Sequence, residues 1–153
     1  ERENVRLVLA GDGILKNEME EKIQELGIEN QVSILGTISK DEVYSFLHEC
    51  RVFVMISLSE GLNIAFLEAM SMKCRIVVSN IEQFTYPFEH YNINPKDYNV
   101  YFTNPSNVNS MTKILKQSIN SSREQKFDFT KFSIHNMLLS YDNIYKKITN
   151  AKG

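Results

Sequence analysis

The sequence predicts an α/β fold in which a parallel sheet carries helices on both faces. Three observations lead there. Short apolar runs rich in β-branched residues recur along the 153 residues, stretches of helical period lie between them, and glycine- or serine-containing turns end the runs. Strands separated by helices pair in parallel, because a parallel neighbour is reached only through a long crossover. Right-handed crossovers then set the strand-to-helix turns along one edge of the sheet, where such folds take their ligands.

The elements follow in order. A strand is expected over 5–10, ended by the turn Gly11-Asp12-Gly13. A helix from about residue 14 puts Leu15, Met19 and Ile23 on one stripe with Leu26 nearby, and Gly27 is its stop. Residues 31–35 form a second strand closed by Gly36, and Ser39-Lys40-Asp41-Glu42 is a capping box opening a helix that turns Val43, Phe46 and Leu47 inward. A third strand spans 52–56, a helix 64–72 and a fourth strand 75–79. From 80 to 97 the pattern dissolves into aromatic and Asn-rich residues, expected as an irregular loop with one helical turn at most. A short strand over 98–103 precedes a helix marked by Val108, Met111, Leu115 and Ile119, which starts after Asn104-Pro105-Ser106. A polar connector, 120–125, leads to a last amphipathic helix with Met137, Tyr141, Ile144, Tyr145 and Ile148 on its apolar side.

The chemistry concentrates in one stretch, Ser57-Leu58-Ser59-Glu60-Gly61-Leu62-Asn63-Ile64-Ala65-Phe66-Leu67-Glu68-Ala69-Met70. It is a strand–turn–helix unit, and it aims the free N–H groups of a helix N-terminus past the carboxyl end of a strand. Glu60 lies in the turn. Glu68 is the sole charge between Ile64 and Met70, and an ionised carboxylate in a buried helix is costly unless paired or hydrogen-bonded. Ligand contact and a rim position reaching water are both open for Glu68 on this ground. A helix N-terminus suits a phosphate and a carboxylate suits ribose or sugar hydroxyls, so together they suggest a nucleotide-type ligand.

Composition narrows the classes. The length suits one domain, 1–153, with a C-terminal helical segment over 126–150, and is short for two ordinary domains. Hydrophobic residues make up 42% and charged residues 24%, as in soluble globular proteins. A net charge of −2 offers no basic excess to neutralise nucleic-acid phosphates. Cys50 and Cys74 lack any C-x-x-C or His–Cys spacing and read as small buried residues of a reducing compartment. His48, His90 and His135 are isolated, so no metal site is expected. A signal-peptide pattern and a membrane-spanning run are both missing, which points to a cytoplasmic domain and leaves peripheral membrane attachment open.

Four motifs in register carry a resemblance. Ala10-Gly11-Asp12-Gly13, Ile34-Leu35-Gly36-Thr37-Ile38-Ser39, Val52-Phe53-Val54 and Glu60-Gly61-Leu62-Asn63-Ile64-Ala65-Phe66-Leu67-Glu68-Ala69-Met70 stand in the order and spacing of one family. Over nearly the whole chain the sequence resembles the C-terminal, donor-binding domain of retaining glycosyltransferases of the GT-B fold, the family 4-like group 1 enzymes. Phe132-Ser133 and the helix with Tyr141 and Tyr145 resemble that domain's C-terminal helix. The resemblance implies a Rossmann-like parallel sheet forming the C-terminal half of a GT-B fold, with its first strand missing. It implies a fragment of a two-domain enzyme that is inactive alone. The full-length enzyme would transfer a sugar from a UDP- or GDP-linked donor, without a further cofactor or metal. The acceptor, a sugar or lipid-linked sugar, would be held by the absent N-terminal domain, in a bacterial polysaccharide or glycolipid pathway at the inner face of the membrane.

Residue by residue, the resemblance makes Glu60 the catalytic candidate, contacting hydroxyls of the transferred sugar, and Glu68 the ribose contact. Backbone N–H groups of Leu62, Asn63 and Ile64 would face the diphosphate and sugar, Ile38 would lie near the base, and Gly11 is a candidate ligand contact whose following helix packs the floor of the site. Ile38 also reads as a core-facing residue, and Gly11 and Gly13 as turn glycines. The chain departs from the family where many members have Gly in place of Asn63, where a Cys-Gly-x-Pro-like run becomes Lys73-Cys74-Arg75-Ile76, and where a Gly-Gly loop becomes Ile81-Glu82-Gln83-Phe84. Lys73 and Arg75 lie out of place for diphosphate contacts. Two other classes remain: a partner-binding module that lost transfer activity, and a dinucleotide enzyme. The second is weakened because Lys16 stands where G-x-G-x-x-G needs its third glycine.

Overall fold

A computed structural model describes residues 5–61, 63–121 and 128–150. In chain order it contains β1 (Leu7–Ala10), α1 (Lys16–Glu25), β2 (Val32–Gly36), α2 (Lys40–Glu49), β3 (Val52–Met55), α3 (Ile64–Ser71) and β4 (Arg75–Ser79). There follow α4 (Glu82–His90), a 3₁₀ turn (Pro95–Tyr98), β5 (Val100–Thr103), α5 (Val108–Asn120), a second 3₁₀ turn (Phe129–Phe132) and α6 (Ile134–Asn150). Every strand pair among the described residues is parallel, β1 with β2 and β3-β4-β5 in that order. The α/β class with parallel strands flanked by helices is therefore as the sequence predicts. The chain divides into two compact units, 1–46 and 47–153.

In the first unit β1 runs beside β2 from Leu7↔Val32 to Ala10↔Gly36. Just past the strands, the Gly11 N–H donates to the Gly36 carbonyl at 2.7 Å, tying the two turns together. Both glycines have positive φ, +131° at Gly11 and +68° at Gly36, which a side chain would strain. The Ser39 capping box forms as read: the Ser39 N–H donates to Glu42 Oε2 at 2.8 Å and the Glu42 N–H to Ser39 Oγ at 3.3 Å. The two Ser39 hydrogen bonds, side chain first and backbone second, hold the Glu42 carboxyl below its ordinary pKa. The stripe of α1 is looser than its spacing predicts: Ile23 is half-buried while Leu15 and Met19 stay exposed.

The second unit holds the core. β4 is its axis, with Ile76, Val77, Val78 and Ser79 all fully buried between β3 and β5, and α3 and α5 packing on it. Continuous apolar runs of this kind mark strands covered on both faces. α3 ends in a Schellman motif: the Lys73 N–H donates to the Met70 carbonyl at 2.9 Å and the Cys74 N–H to the Ala69 carbonyl at 3.0 Å, with Lys73 at φ +58°.

Two expectations need correction. Residues 80–97 are not irregular, because Glu82–His90 is a nine-residue helix. Phe84 and Phe88, four apart and hence on one helical face, are driven into an aromatic cluster: Phe84 meets Phe66 edge-on at 5.2 Å, and Phe88 lies near Tyr98, Phe102 and Phe132 at 6.0, 5.9 and 6.2 Å. Tertiary burial overrides the weak helix propensity of this segment and the interior Pro87. Burial in this cluster, then the charges of Asp128 and Asp97, push the Tyr98 phenol above its ordinary pKa, and its hydroxyl donates to the Asp128 carbonyl at 2.8 Å.

The second correction concerns the apolar side of α6, where Tyr141, Ile144, Tyr145 and Ile148 remain at least half exposed. The side chain of Met137 and residues 122–125 of the connector lie outside the described residues. The helix α5 packs through the expected Met111, Leu115 and Ile119, joined by Ile114 and Ser118, while Val108 at its start is 70% exposed. Among the described residues no helix is long and apolar enough to cross a membrane.

Candidate functional site

The second unit presents the strand–turn–helix unit read from the sequence. β3 stops at Met55, the chain turns through 56–61, and α3 begins at Ile64. Asn63 is the N-cap of α3: with extended backbone, its Oδ1 accepts the Phe66 N–H at 2.9 Å. Its Nδ2 reaches back to Met55 Sδ at 2.7 Å, clamping the start of the helix to the end of the strand. The Leu67 N–H closes the first turn on the Asn63 carbonyl at 3.3 Å. The N–H groups of Ile64 and Ala65, at the end of the connection from β3, are left by helix geometry without intrahelical acceptors.

Glu60 sits half-buried in the turn, and Ser57 Oγ donates to its Oε1 at 2.5 Å. One carboxylate oxygen is thereby fixed, and the other remains an acceptor suited to a hydroxyl. α3 buries Phe66, Ala69 and Met70, which places Glu68 on the half-buried side one turn beyond the solvent-facing Ile64. Half-buried, Glu68 does not carry its charge in full burial, and ligand contact and a rim position reaching water both stay open for it. A ligand at the N-terminus of α3 would therefore have carboxylates on the turn before it and on the helix itself.

Of the residues singled out from the sequence, the structure brings Glu60, Asn63, Ile64 and Glu68 into this one unit. Gly11 and Ile38 belong to the first unit, each in the turn after its strand, and Ile38 is half-buried. Leu62 lies outside the described residues. Asn63 takes a role that sequence reasoning did not give its side chain, which the cap and the Met55 contact occupy. Ser57 was missed altogether. Its signal was available, since Ser57-x-x-Glu60 repeats the spacing of Ser39-x-x-Glu42. Among the described residues no group of three or more His, Cys, Asp or Glu could hold a metal ion.

Comparison with known proteins places the chain in a family. The chain matches the family model of glycosyl transferases group 1 over residues 1–132. It is 27% identical to an uncharacterized glycosyltransferase of Methanocaldococcus jannaschii, over 99% of this chain and 37% of that protein. It is 26% identical to the O-antigen biosynthesis glycosyltransferase WclY of Escherichia coli, over 92% of this chain and 38% of that protein. Among solved structures it is similar in fold to sucrose-phosphate synthase from Thermosynechococcus elongatus, with TM-score 0.68 and 18% identity, over 95% of this chain and 39% of that one. The chain thus spans well under half the length of these relatives. A match across most of its length, on the same strand–turn–helix unit the residues single out, assigns the chain to the glycosyl transferases group 1 family.

Proposed function

We propose that the chain is the donor-binding part of a retaining glycosyltransferase that moves a sugar from a UDP- or GDP-linked donor to a sugar or lipid-linked acceptor. One observation carries the reading: Glu60 stands in the turn between β3 and α3 and Glu68 one turn into α3, so that both half-buried carboxylates belong to the segment carrying the helix N-terminus. The Ile64 and Ala65 N–H groups, with those of Leu62 and Asn63, would receive the diphosphate, whose developing negative charge the helix end stabilises as the sugar departs. Glu68 would accept from the ribose hydroxyls. Glu60, fixed by Ser57, would accept from hydroxyls of the transferred sugar and hold it as positive charge grows on its ring. The carboxylates orient the donor rather than act as a nucleophile and acid pair, since Glu68 stands at the ribose end.

The name of the Escherichia coli relative supports a role in surface polysaccharide synthesis. Full turnover belongs to the whole enzyme, and this portion alone would bind donor weakly without transferring it. An amide NMR titration with UDP, GDP and ADP, repeated on Glu68→Ala, tests the reading. Shifts gathered at Asn63, Ile64 and Glu68, favouring one base and lost in the variant, are expected. Equal shifts in wild type and variant, or shifts confined to other surfaces, would refute the assignment.

A further inference from the structure

Cys50 and Cys74 lie 24 residues apart in the sequence, yet their sulfurs are 3.9 Å apart. Both thiols turn to the same acceptor, the Leu47 carbonyl, Cys74 at 3.1 Å and Cys50 at 3.6 Å. The backbone geometry that allows this is parallel pairing. Cys50 stands two residues before β3 and Cys74 one residue before β4, and Val52 pairs with Arg75 at the start of the two strands. Adjacent strands run about 4.8 Å apart, which falls within the backbone separation a disulfide spans. A disulfide bond is about 2.05 Å long, so the sulfurs need to close by roughly 2 Å, within reach of side-chain rotation.

We infer that Cys50 and Cys74 form a reversible redox pair whose oxidation staples the base of the β3–α3 unit. The two thiols differ in access: Cys50 is half-buried and Cys74 fully buried. Cys50, as thiolate, attacks a sulfur of a small-molecule disulfide such as glutathione disulfide, and one thiol leaves. Cys74, losing its proton, then attacks the Cys50 sulfur of the mixed disulfide and expels the second thiol. The protein gives up two electrons and two protons, and the small disulfide is reduced to two thiols carrying those protons. The covalent loop so closed, 50–74, encloses β3, the turn with Ser57 and Glu60, and all of α3. Closing a loop of this length restricts the unfolded chain, so the oxidised form gains stability without a new contact in the folded state.

The test is to incubate the intact protein with glutathione disulfide under native conditions, block remaining thiols, and map the digested peptides by mass. The expected result is a Cys50–Cys74 linked peptide that dithiothreitol reverses, with a thermal midpoint higher by roughly 5 °C or more in the oxidised protein. Cys50→Ser should give no linked peptide and leave Cys74 unmodified, since only Cys50 meets the oxidant. Because Cys74→Ser changes a fully buried position, the inference rests on Cys50→Ser and on the wild-type map, with circular dichroism showing both folded. A mixed disulfide that persists on Cys50, a link that forms only in denaturant, or unchanged thiols in the folded protein would each overturn it. A linked peptide with no rise in midpoint would overturn the stapling.

Discussion

Ser57 Oγ donates to Glu60 Oε1 at 2.5 Å, so the carboxylate of the turn is held by a side chain of the same turn, two residues past β3. Neither residue packs the core of β4, so the bond serves the turn more than the fold. Removing it leaves Glu60 present but unfixed. Ser57→Ala is expected to lower kcat/KM for donor in the intact enzyme by about 10-fold, the lower bound for the worth of one hydrogen bond to a charged group. Glu60→Gln should cost about 100-fold or more, because on the proposed function it removes the charge that would face the transition state. Steady-state kinetics of the two variants checks the order. Wild-type rates in Ser57→Ala would show that Glu60 needs no such support.

Asn63 joins strand, turn and helix through Phe66 and Met55. Asn63→Ala removes the cap and should destabilise the protein by about 1 kcal/mol, whereas Asn63→Asp keeps an acceptor for the Phe66 N–H and should cost less. Asn63→Gly, the residue that the resemblance leads one to expect here, should lose only a few tenths of a kcal/mol relative to Asn. Urea unfolding of the three variants gives the ranking. Equal midpoints for all three would mean that the cap contributes nothing measurable.

Lys73 occupies the left-handed position of the Schellman motif at φ +58°, where glycine is the usual residue. A Cβ in this conformation costs about 1 kcal/mol, so Lys73→Gly is expected to raise stability by up to that amount. Denaturant midpoints decide the sign. A fall in stability would show that the lysine side chain contributes more than its backbone strain removes.

Where local physics decides the conformation, the sequence was readable. The Ser39–Glu42 capping box, the bounds of β4 and the start of α3 at Ile64 all follow from spacing and residue type within a few positions. What the sequence concealed depends on partners distant in the chain. α4 looks irregular because its aromatic residues are indifferent helix formers, and it is Phe66, Phe102 and Phe132 that make a helical Phe84–Phe88 face favourable. Glu68 could not be placed from its apolar neighbours, because the side of α3 that β4 covers is a tertiary fact. The approach of Cys50 to Cys74 is invisible for the same reason, since it needs the register of β3 on β4. The exposed apolar side of α6 shows the converse limit: amphipathic spacing reports a face fit for burial, while exposure depends on what the rest of the molecule supplies.

Glu42 provides a pH test with a defined sign. Its carboxyl is held below its ordinary value of 4.5 by the Ser39 hydroxyl first and the Ser39 N–H second. A depressed value in the folded state means that the unfolded chain binds the proton more readily. The contribution of Glu42 is therefore complete above its unfolded pKa and is lost as pH falls through the lower, folded value. Glu42→Gln has no proton to bind, so its thermal midpoint should lack this component. The gap between wild type and variant should be constant above about pH 6 and shrink steadily below about pH 4.5, while the other carboxylates, common to both, cancel. The carboxylate is exposed, so the effect should also weaken as salt rises. A gap that stays constant down to about pH 3 would show that the capping box works through hydrogen-bond geometry alone and not through the charge of Glu42.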